Sequence, residues 1–275
     1  MLTGRAGQLG SELEPRLAAL CELHAFDRGV LDLTDRERIR RAVRELSPQV
    51  IVNAAAYTAV DAAEQHADEC SRVNHHAVTV LAEEAARLDA LLVHFSTDYV
   101  FDGEKRMPYR ESDPTGPLNA YGRSKLAGER AIAASGCRHL VLRTSWVYGR
   151  RGKSFPLRIR QLAAEGRALR VVDDQVGCPT SAADLAAAVA RIFKQGLQVG
   201  LYHACGGGET TWHGFARAIV GPTVPVEAVS TSQYGGAARR PAYAVLSNDL
   251  FRDVFGFRLP HWEESFSTFR RAQAW

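Results

Sequence analysis

Gly4-Arg5-Ala6-Gly7-Gln8-Leu9-Gly10, followed by a helical run through Leu13, Leu17 and Leu20, decides how the first half of this chain folds. Glycines three apart permit a tight turn and let main chain approach an anion closely, and the unpaired N–H groups that begin the next helix attract it. Such a loop is weak on its own. It gains weight from Asp27, which ends the next strand candidate seventeen residues past Gly10, near the ~20-residue spacing at which an acid meets the ribose of a dinucleotide. Asp32 then opens an Asp-Leu pair placed to face an adenine. Asp27 suits an unphosphorylated ribose, whereas Arg28 and Arg5 suit a 2′-phosphate, so NADH and NADPH both stay open, with a lean to NADPH.

Outward from the loop, short apolar runs at 22–27, 50–55, 91–96 and 140–145 alternate with helical patterns. That alternation predicts βαβ units and an α/β fold: a Rossmann-like, doubly wound parallel sheet. Between the second and third runs, Val73, Ala77, Val80, Leu81 and Leu88 keep helical spacing and predict a helix over 68–88. The second run leads into Asn53-Ala54-Ala55-Ala56-Tyr57-Thr58, small residues that let a dinucleotide lie close to the backbone at the carboxyl edge of the sheet. From 101 to 120 the pattern stops, with Pro108, Pro114 and Pro117 crowding a long loop of the kind that usually carries function. After 149 the alternation becomes irregular. The expected division is a dinucleotide-binding domain over 1–149 and a smaller, mainly substrate-binding lobe over 150–275. A helix over 181–193, with Ser181 as N-cap and Asp184 at its third position, is expected to pack back on the first domain.

With 275 residues, 46% hydrophobic and 24% charged, the chain reads as a soluble globular protein rather than a disordered one. A net charge of +3, spread out, gives no nucleic-acid footprint, and no apolar run reaches the ~18 residues of a membrane span. Five scattered cysteines without Cys-x-x-Cys spacing argue against disulfides or zinc and for a cytoplasmic setting. His75-His76 diverge on a helix and are not read as ligands, so no metal site is assigned. The loop begins at Gly4, leaving Met1-Leu2-Thr3 for a first strand, short of the usual ~5–6 residues. The expectation is that the natural chain starts a few residues upstream.

Chemistry enters with Tyr121-Gly122-Arg123-Ser124-Lys125, twenty-four residues after Thr97 in Ser96-Thr97-Asp98-Tyr99-Val100-Phe101. Four residues apart on a helix, the phenol of Tyr121 and the ammonium of Lys125 can share a cleft. A free phenol titrates near ~10 and a close cation favours its ionised form, so this pair suits proton exchange with an alcohol or ketone. Thr97 can hold the reacting oxygen. Farther on, the paired guanidinium groups of Arg239-Arg240-Pro241 suit a pyrophosphate.

With these segments stand Asn53 to Asp61, Arg143-Thr144-Ser145-Trp146-Val147-Tyr148 and Asp173-Asp174-Gln175-Val176-Gly177-Cys178-Pro179-Thr180. Together, in this order, they resemble the dTDP-4-dehydrorhamnose reductases, extended members of the short-chain dehydrogenase/reductase superfamily. The resemblance runs from Met1 to about Trp262. It implies that Gly7, Gln8 and Leu9 contact the pyrophosphate, Asp27, Asp32 and Leu33 the adenosine end, and Ala56, Tyr57 and Thr58 the half nearer the nicotinamide. It implies Tyr121 as proton donor, Lys125 as the residue that holds the nicotinamide ribose and tunes the phenol, Thr97, Asp98 and Tyr99 at the sugar, and Trp146 covering it. The activity implied is hydride transfer to C4 of dTDP-4-dehydro-L-rhamnose, giving dTDP-L-rhamnose.

Relatives also include metal-linked dimers, so a homodimer and Mg²⁺ are both compatible, though no acidic cluster is assigned to the ion. A dehydratase of the superfamily wants a carboxylic acid where this chain has Tyr99. Two other readings stay open: a nucleotide-sugar epimerase, and a non-catalytic subunit similar to the regulatory beta subunit of methionine adenosyltransferase. The presence of Thr97, Tyr121 and Lys125 favours an enzyme.

Overall fold

A computed structural model describes residues 1–273. Six parallel strands form the central sheet: β1 (Leu2–Thr3), β2 (Ala25–Phe26), β3 (Val50–Asn53), β4 (Leu91–Thr97), β5 (Arg138–Thr144) and β6 (Gly200–His203). Their order is β6-β5-β4-β3-β1-β2. The chain leaves β1 first for one side and later for the other, so the winding reverses beside β1 and opens a crevice at the carboxyl ends there.

Strand residues alternate between the two faces, and the core divides accordingly. Leu2, Val52, Val93, Leu140 and Leu142 face helices α1 (Gly10–Ala18) and α5 (Ala182–Gln195), meeting Leu13, Leu17, Leu185, Val189 and Ile192. Met1, Ile51, Leu92 and Val141 face α2 (Arg36–Leu46) and α3 (Ala77–Arg87), meeting Ile39, Val43, Val80 and Leu81. Burial of each such side chain contributes ~1.5–3 kcal/mol, which is why the middle strands read as unbroken apolar runs. The structure is thus α/β, a Rossmann-like doubly wound parallel sheet.

A second, smaller core gathers Tyr148, Ile159, Leu169, Phe215, Trp262, Phe266 and Phe269 between the helices Phe155–Ala164, Trp212–Val220 and Trp262–Ala272. Short strand pairs frame it, Leu169–Val172 with Val226–Val229 and Val147–Tyr148 with Thr180–Ser181 among them. The chain crosses between the cores more than once. Helix α5, capped by Ser181 Oγ accepting from Asp184 N at 3.4 Å, packs beside α1, and β6 adds a sixth strand next to β5. Helix Asp249–Phe255 returns as well, with Phe255 against Tyr202 at 5.0 Å between ring centroids.

Several expected elements are corrected. The run at 22–27 yields only Ala25–Phe26, because β1 offers just Leu2 and Thr3 to pair with it. The run at 50–55 ends at Asn53, where the side-chain oxygen accepts from Ala55 N at 3.2 Å and turns the chain out of the sheet. The helix over 68–88 is not continuous: a π-helical turn, Arg72–His76, separates Ala67–Ser71 from α3. Such a turn often marks a functional position, and here it carries Asn74, whose amide is drawn to both main-chain groups of Tyr57. The fourth run starts at Arg138 and stops at Thr144.

Candidate active site

The glycine loop turns from β1 into α1 at the crevice. Gly4 has φ +75°, and a Cβ there would stand 2.6 Å from Ala55 N; a Cβ on Gly10 would stand 2.0 Å from Gly4 O. No side chain caps the start of α1; Ser11 N and Glu12 N already donate to Gly7 O and Leu9 O, so it is the loop N–H groups ahead of them that can face an anion, and Gln8 Oε1 is buried without a hydrogen-bond partner among the described residues. This cradle fits a dinucleotide pyrophosphate. Gly7, Gln8 and Gly10 lie in it by main chain, whereas the side chains of Leu9 and Leu33 are committed to the core, leaving only their backbone for a ligand.

At the adenosine end, Asp27 Oδ1 accepts from Gly29 N at 2.9 Å and Val30 N at 3.2 Å, and Asp32 Oδ1 from Thr34 N and Oγ1, both at 2.9 Å. The Thr34 hydrogen bonds hold Asp32 below the usual carboxylate range. Arg28 is 73% exposed and stands 3.6 Å from both Asp32 and Glu69, while Arg5 is paired with Glu14 at 2.7 Å. Arg28, loosely held, remains the better candidate for a 2′-phosphate. Ala56 and Tyr57 line the loop after β3 half-buried, Thr58 is exposed, and Asn74 pins Tyr57 by bonds of 2.9 and 3.0 Å.

At the carboxyl end of β4, Thr97 Oγ1 donates to Asp98 Oδ1 at 2.9 Å and accepts from Tyr99 N at 3.2 Å. Ser145 Oγ donates to Asp98 Oδ2 at 3.0 Å. Burial pushes Asp98 up to about 7, against the pull of those two hydroxyls. Tyr121 enters from α4 (Ala120–Ser135), packed with Tyr57, Ala63 and Cys70 and edge-on to Tyr99 at 5.9 Å between centroids. Helix α4 starts there because Asn119 caps it, its Oδ1 accepting from Gly122 N at 2.8 Å, and Glu64 accepts from Ala120 N at 2.6 Å.

Lys125 does not figure among the groups that shift the Tyr121 phenol in this structure. Burial pushes the Tyr121 phenol up, with Thr97 opposing and Asp98 and Cys70 reinforcing, so it is held protonated. Lys125 is buried and runs beneath the helix to β4, donating to Phe95 O at 2.6 Å and meeting His94 Nε2 at 3.1 Å. Burial lowers its pKa to about 8, with Glu129 opposing. The two residues share a helix face, but the lysine stem is long enough to place its nitrogen in the strand rather than at the phenol.

The two arginines of 239–240, expected at a pyrophosphate, are held differently. Arg240 forms a bidentate pair with Asp61 at 3.1 and 2.5 Å, and Asp61 accepts from Ala238 N at 3.1 Å. Arg239 is exposed, its carbonyl accepting from Asn119 Nδ2 at 2.8 Å. The loop is therefore clamped over the site from Asp61, with Arg240 near enough to Tyr99 to favour the charged form of its phenol. Trp146 has the left-handed φ of +45° and stacks on Trp212 at 3.5 Å and 9°, so one ring face is already covered.

Sequence reasoning brought Thr97, Asp98, Tyr99, Tyr121 and Arg240 to one place but passed over Ser145, Asn119, Asn74, Trp212 and His94. His94 left a usable signal, a histidine inside the otherwise apolar Leu91-Leu92-Val93-His94-Phe95. Among the described residues no group of three or more His, Cys, Asp or Glu is arranged to hold a metal ion, and no helix is long and apolar enough to cross a membrane.

The family model described as RmlD substrate binding domain matches residues 1–273. The dTDP-4-dehydrorhamnose reductase of Sinorhizobium fredii is 43% identical over 277 residues, covering 96% of this chain and 94% of the relative. A crystal structure of dTDP-4-dehydrorhamnose reductase from Bacillus anthracis, in complex with NADP, superposes with a TM-score of 0.93 at 35% identity, covering 98% of this chain and 96% of that one. The Clostridium acetobutylicum dTDP-4-dehydrorhamnose reductase superposes with a TM-score of 0.95 at 34% identity, covering 100% and 99%. A full-length match of sequence and fold, joined to the glycine cradle and the Thr97, Tyr121 and Lys125 arrangement, places the chain in the dTDP-4-dehydrorhamnose reductase family of NAD(P)H-dependent oxidoreductases.

Proposed function

We propose that this chain reduces the C4 keto group of dTDP-4-dehydro-L-rhamnose, or a close dTDP-4-keto-6-deoxy sugar, to the corresponding L-rhamnose nucleotide. The observation that carries the reading is the meeting of Tyr121 and Thr97 at the carboxyl end of β4, where Tyr121 lies edge-on to Tyr99 at 5.9 Å and Tyr99 N donates to Thr97 Oγ1 at 3.2 Å. A reduction needs an acid in place, and a phenol kept in its neutral form supplies one. The bound nicotinamide supplies the hydride; the chain supplies position and the proton.

Within that reading Thr97 orients the carbonyl oxygen and Tyr121 donates its proton to it as charge develops. Lys125 serves the nicotinamide ribose after leaving β4. Asp98 and Tyr99 meet the sugar, and Trp146, backed by Trp212, closes over it. Gly4, Gly7 and Gly10 with the main chain of Gln8 and Leu9 take the pyrophosphate; Asp27, Arg28, Asp32 and the backbone of Leu33 take the adenosine; Ala56, Tyr57 and Thr58 take the nicotinamide half. Arg239 reaches the substrate diphosphate while Arg240 holds the loop. NADPH is favoured over NADH by the loosely paired Arg28. A cytoplasmic setting fits five free thiols, and a homodimer is compatible with this reading.

The test is oxidation of NADPH followed with a panel of dTDP-4-keto-6-deoxy sugars. Turnover on dTDP-4-dehydro-L-rhamnose is expected; no net oxidation with any member would overturn the reading, and product formed without cofactor consumption would favour the epimerase.

A further inference from the structure

The amide of Asn53 is oriented by its neighbours. Its Oδ1 accepts from Thr3 Oγ1 at 2.7 Å and from Ala55 N at 3.2 Å. A main-chain N–H can only donate, so Oδ1 lies on that side and Nδ2 donates to His94 Nδ1 at 3.1 Å. His94 Nδ1 therefore carries no proton. This excludes the imidazolium, in which both nitrogens donate, and puts the proton of the neutral ring on Nε2. That N–H faces Lys125 Nζ at 3.1 Å. An ammonium has no lone pair to accept with, so the contact is a hydrogen bond only when Lys125 is a neutral amine, accepting from His94 while donating to Phe95 O at 2.6 Å.

We infer that Asn53 and His94 favour the neutral amine of Lys125 seated on β4 in the chain without dinucleotide, and that above the midpoint of that amine dinucleotide entry draws Lys125 off this seat with uptake of one proton. The second half rests on the reading that Lys125 serves the nicotinamide ribose. The step is balanced as R–NH₂ plus H⁺ from solvent giving R–NH₃⁺, with the His94 hydrogen bond broken. His94 is then a positioning residue, acting through Lys125. The groups around the amine agree. Burial holds His94 well below its ordinary range, so it stays neutral, and lowers Lys125 itself to about 8. Glu129, one turn along α4, favours the ammonium but is bound by Arg143 of β5 at 2.9 and 2.7 Å. Cys70, from the helix Ala67–Ser71, has its thiol pushed up by burial and stays uncharged, as does the Tyr121 phenol.

The chain has four lysines, Lys105, Lys125, Lys153 and Lys194, so the side-chain signals of lysine-labelled protein can be followed one by one. In the full chain labelled at lysine Cε, the signal lost in Lys125→Met is that of Lys125. It should titrate near 8 without cofactor, well below the ~10.4 of an ordinary lysine. Saturation with NADP⁺ should move that midpoint up. Nitrogen NMR of the His94 ring should show the proton on Nε2. His94→Phe, which removes the donor aimed at the amine, should raise the Lys125 midpoint by about one unit or more, because a hydrogen bond to the neutral form has been lost. A purely structural His94 would leave it in place. An ordinary lysine midpoint in the free wild-type chain, a proton on His94 Nδ1, an unmoved midpoint in a folded His94→Phe, or one unmoved by NADP⁺ would overturn the inference. Should His94→Phe fail to fold, the wild-type titration and ring tautomer decide. An ordinary Lys125 midpoint in a chain that still reduces the sugar nucleotide would sink this clamp and leave the proposed function standing; a chain with the clamp but no reduction would do the reverse.

Discussion

Replacing Glu129 by Leu strands the Arg143 guanidinium inside the protein. The two side chains form a bidentate pair at 2.9 and 2.7 Å, and each is only 5% exposed. Removing one member of a buried pair leaves an uncompensated charge, at a cost of ~3–5 kcal/mol. The Phe101 ring, 5.1 Å from the guanidinium, is present in both forms and does not change the difference. With ~2–4 °C per kcal/mol for a chain of this size, the melting temperature should fall by roughly 6–20 °C. The assay is thermal unfolding by circular dichroism at neutral pH. Glu129→Leu combined with Arg143→Met should recover most of the loss, since no charge is then left in the core. Tyr121, Lys125 and Glu129 lie four apart on α4, so the single variant should also lose turnover as the helix loosens against β5. A fall of less than about 4 °C, roughly 1–2 kcal/mol, would refute the reasoning, and a double variant no better than the single would show that a stranded charge is not the cause.

Three further outcomes follow from the site. Asp98, raised to about 7, stabilises the fold fully below the ~3.9 of an unfolded aspartate and loses that contribution as pH rises through its folded value. Wild-type stability should therefore drop between about pH 5 and pH 8 by on the order of 2–3 kcal/mol more than that of Asp98→Asn; equal pH slopes in denaturant titrations would contradict this. Asp61→Ala should release the Arg240 loop and raise the KM for the nucleotide sugar by about tenfold, ~1.4 kcal/mol, with kcat nearly unchanged. Its stability should change by less than about 1 kcal/mol because Asp61 is half exposed; a kcat loss without a KM change would count against a substrate-loop role. Arg28→Ala should weaken NADPH more than NADH, and equal losses in the two dissociation constants would reduce Arg28 to a surface pair with Asp32 and Glu69.

The glycine loop and the long middle strands were legible in the sequence because local rules settle them. Gly4 and Gly10 are demanded by backbone contacts, and strands buried on both faces must be apolar throughout. Strand β6 was not legible, since Gly200-Leu201-Tyr202-His203 has no strand pattern of its own and becomes one by pairing with Leu140 to Arg143. The π-helical turn is equally nonlocal, depending on Asn74 reaching a loop seventeen residues away. At the site, residue identities could be read but not the directions of long side chains. Helical spacing put Lys125 on the face of Tyr121, yet its nitrogen is set by Phe95 O and His94, groups adjacent only once the sheet has formed. Arg240 looked like a free cation until Asp61, 179 residues earlier in the chain, was seen to hold it.

Under the proposed function Tyr121 delivers the proton in a carbonyl reduction. The most direct measurement compares NADPH oxidation by the wild-type chain and Tyr121→Phe on dTDP-4-dehydro-L-rhamnose, with NADPH affinity measured in parallel. Loss of the hydroxyl alone should lower kcat by ~10²- to 10⁴-fold, the usual range for a general acid, and leave the dissociation constant for NADPH within a few-fold. A Tyr121→Phe variant that keeps more than about a tenth of the wild-type kcat, well short of that range, would contradict the account.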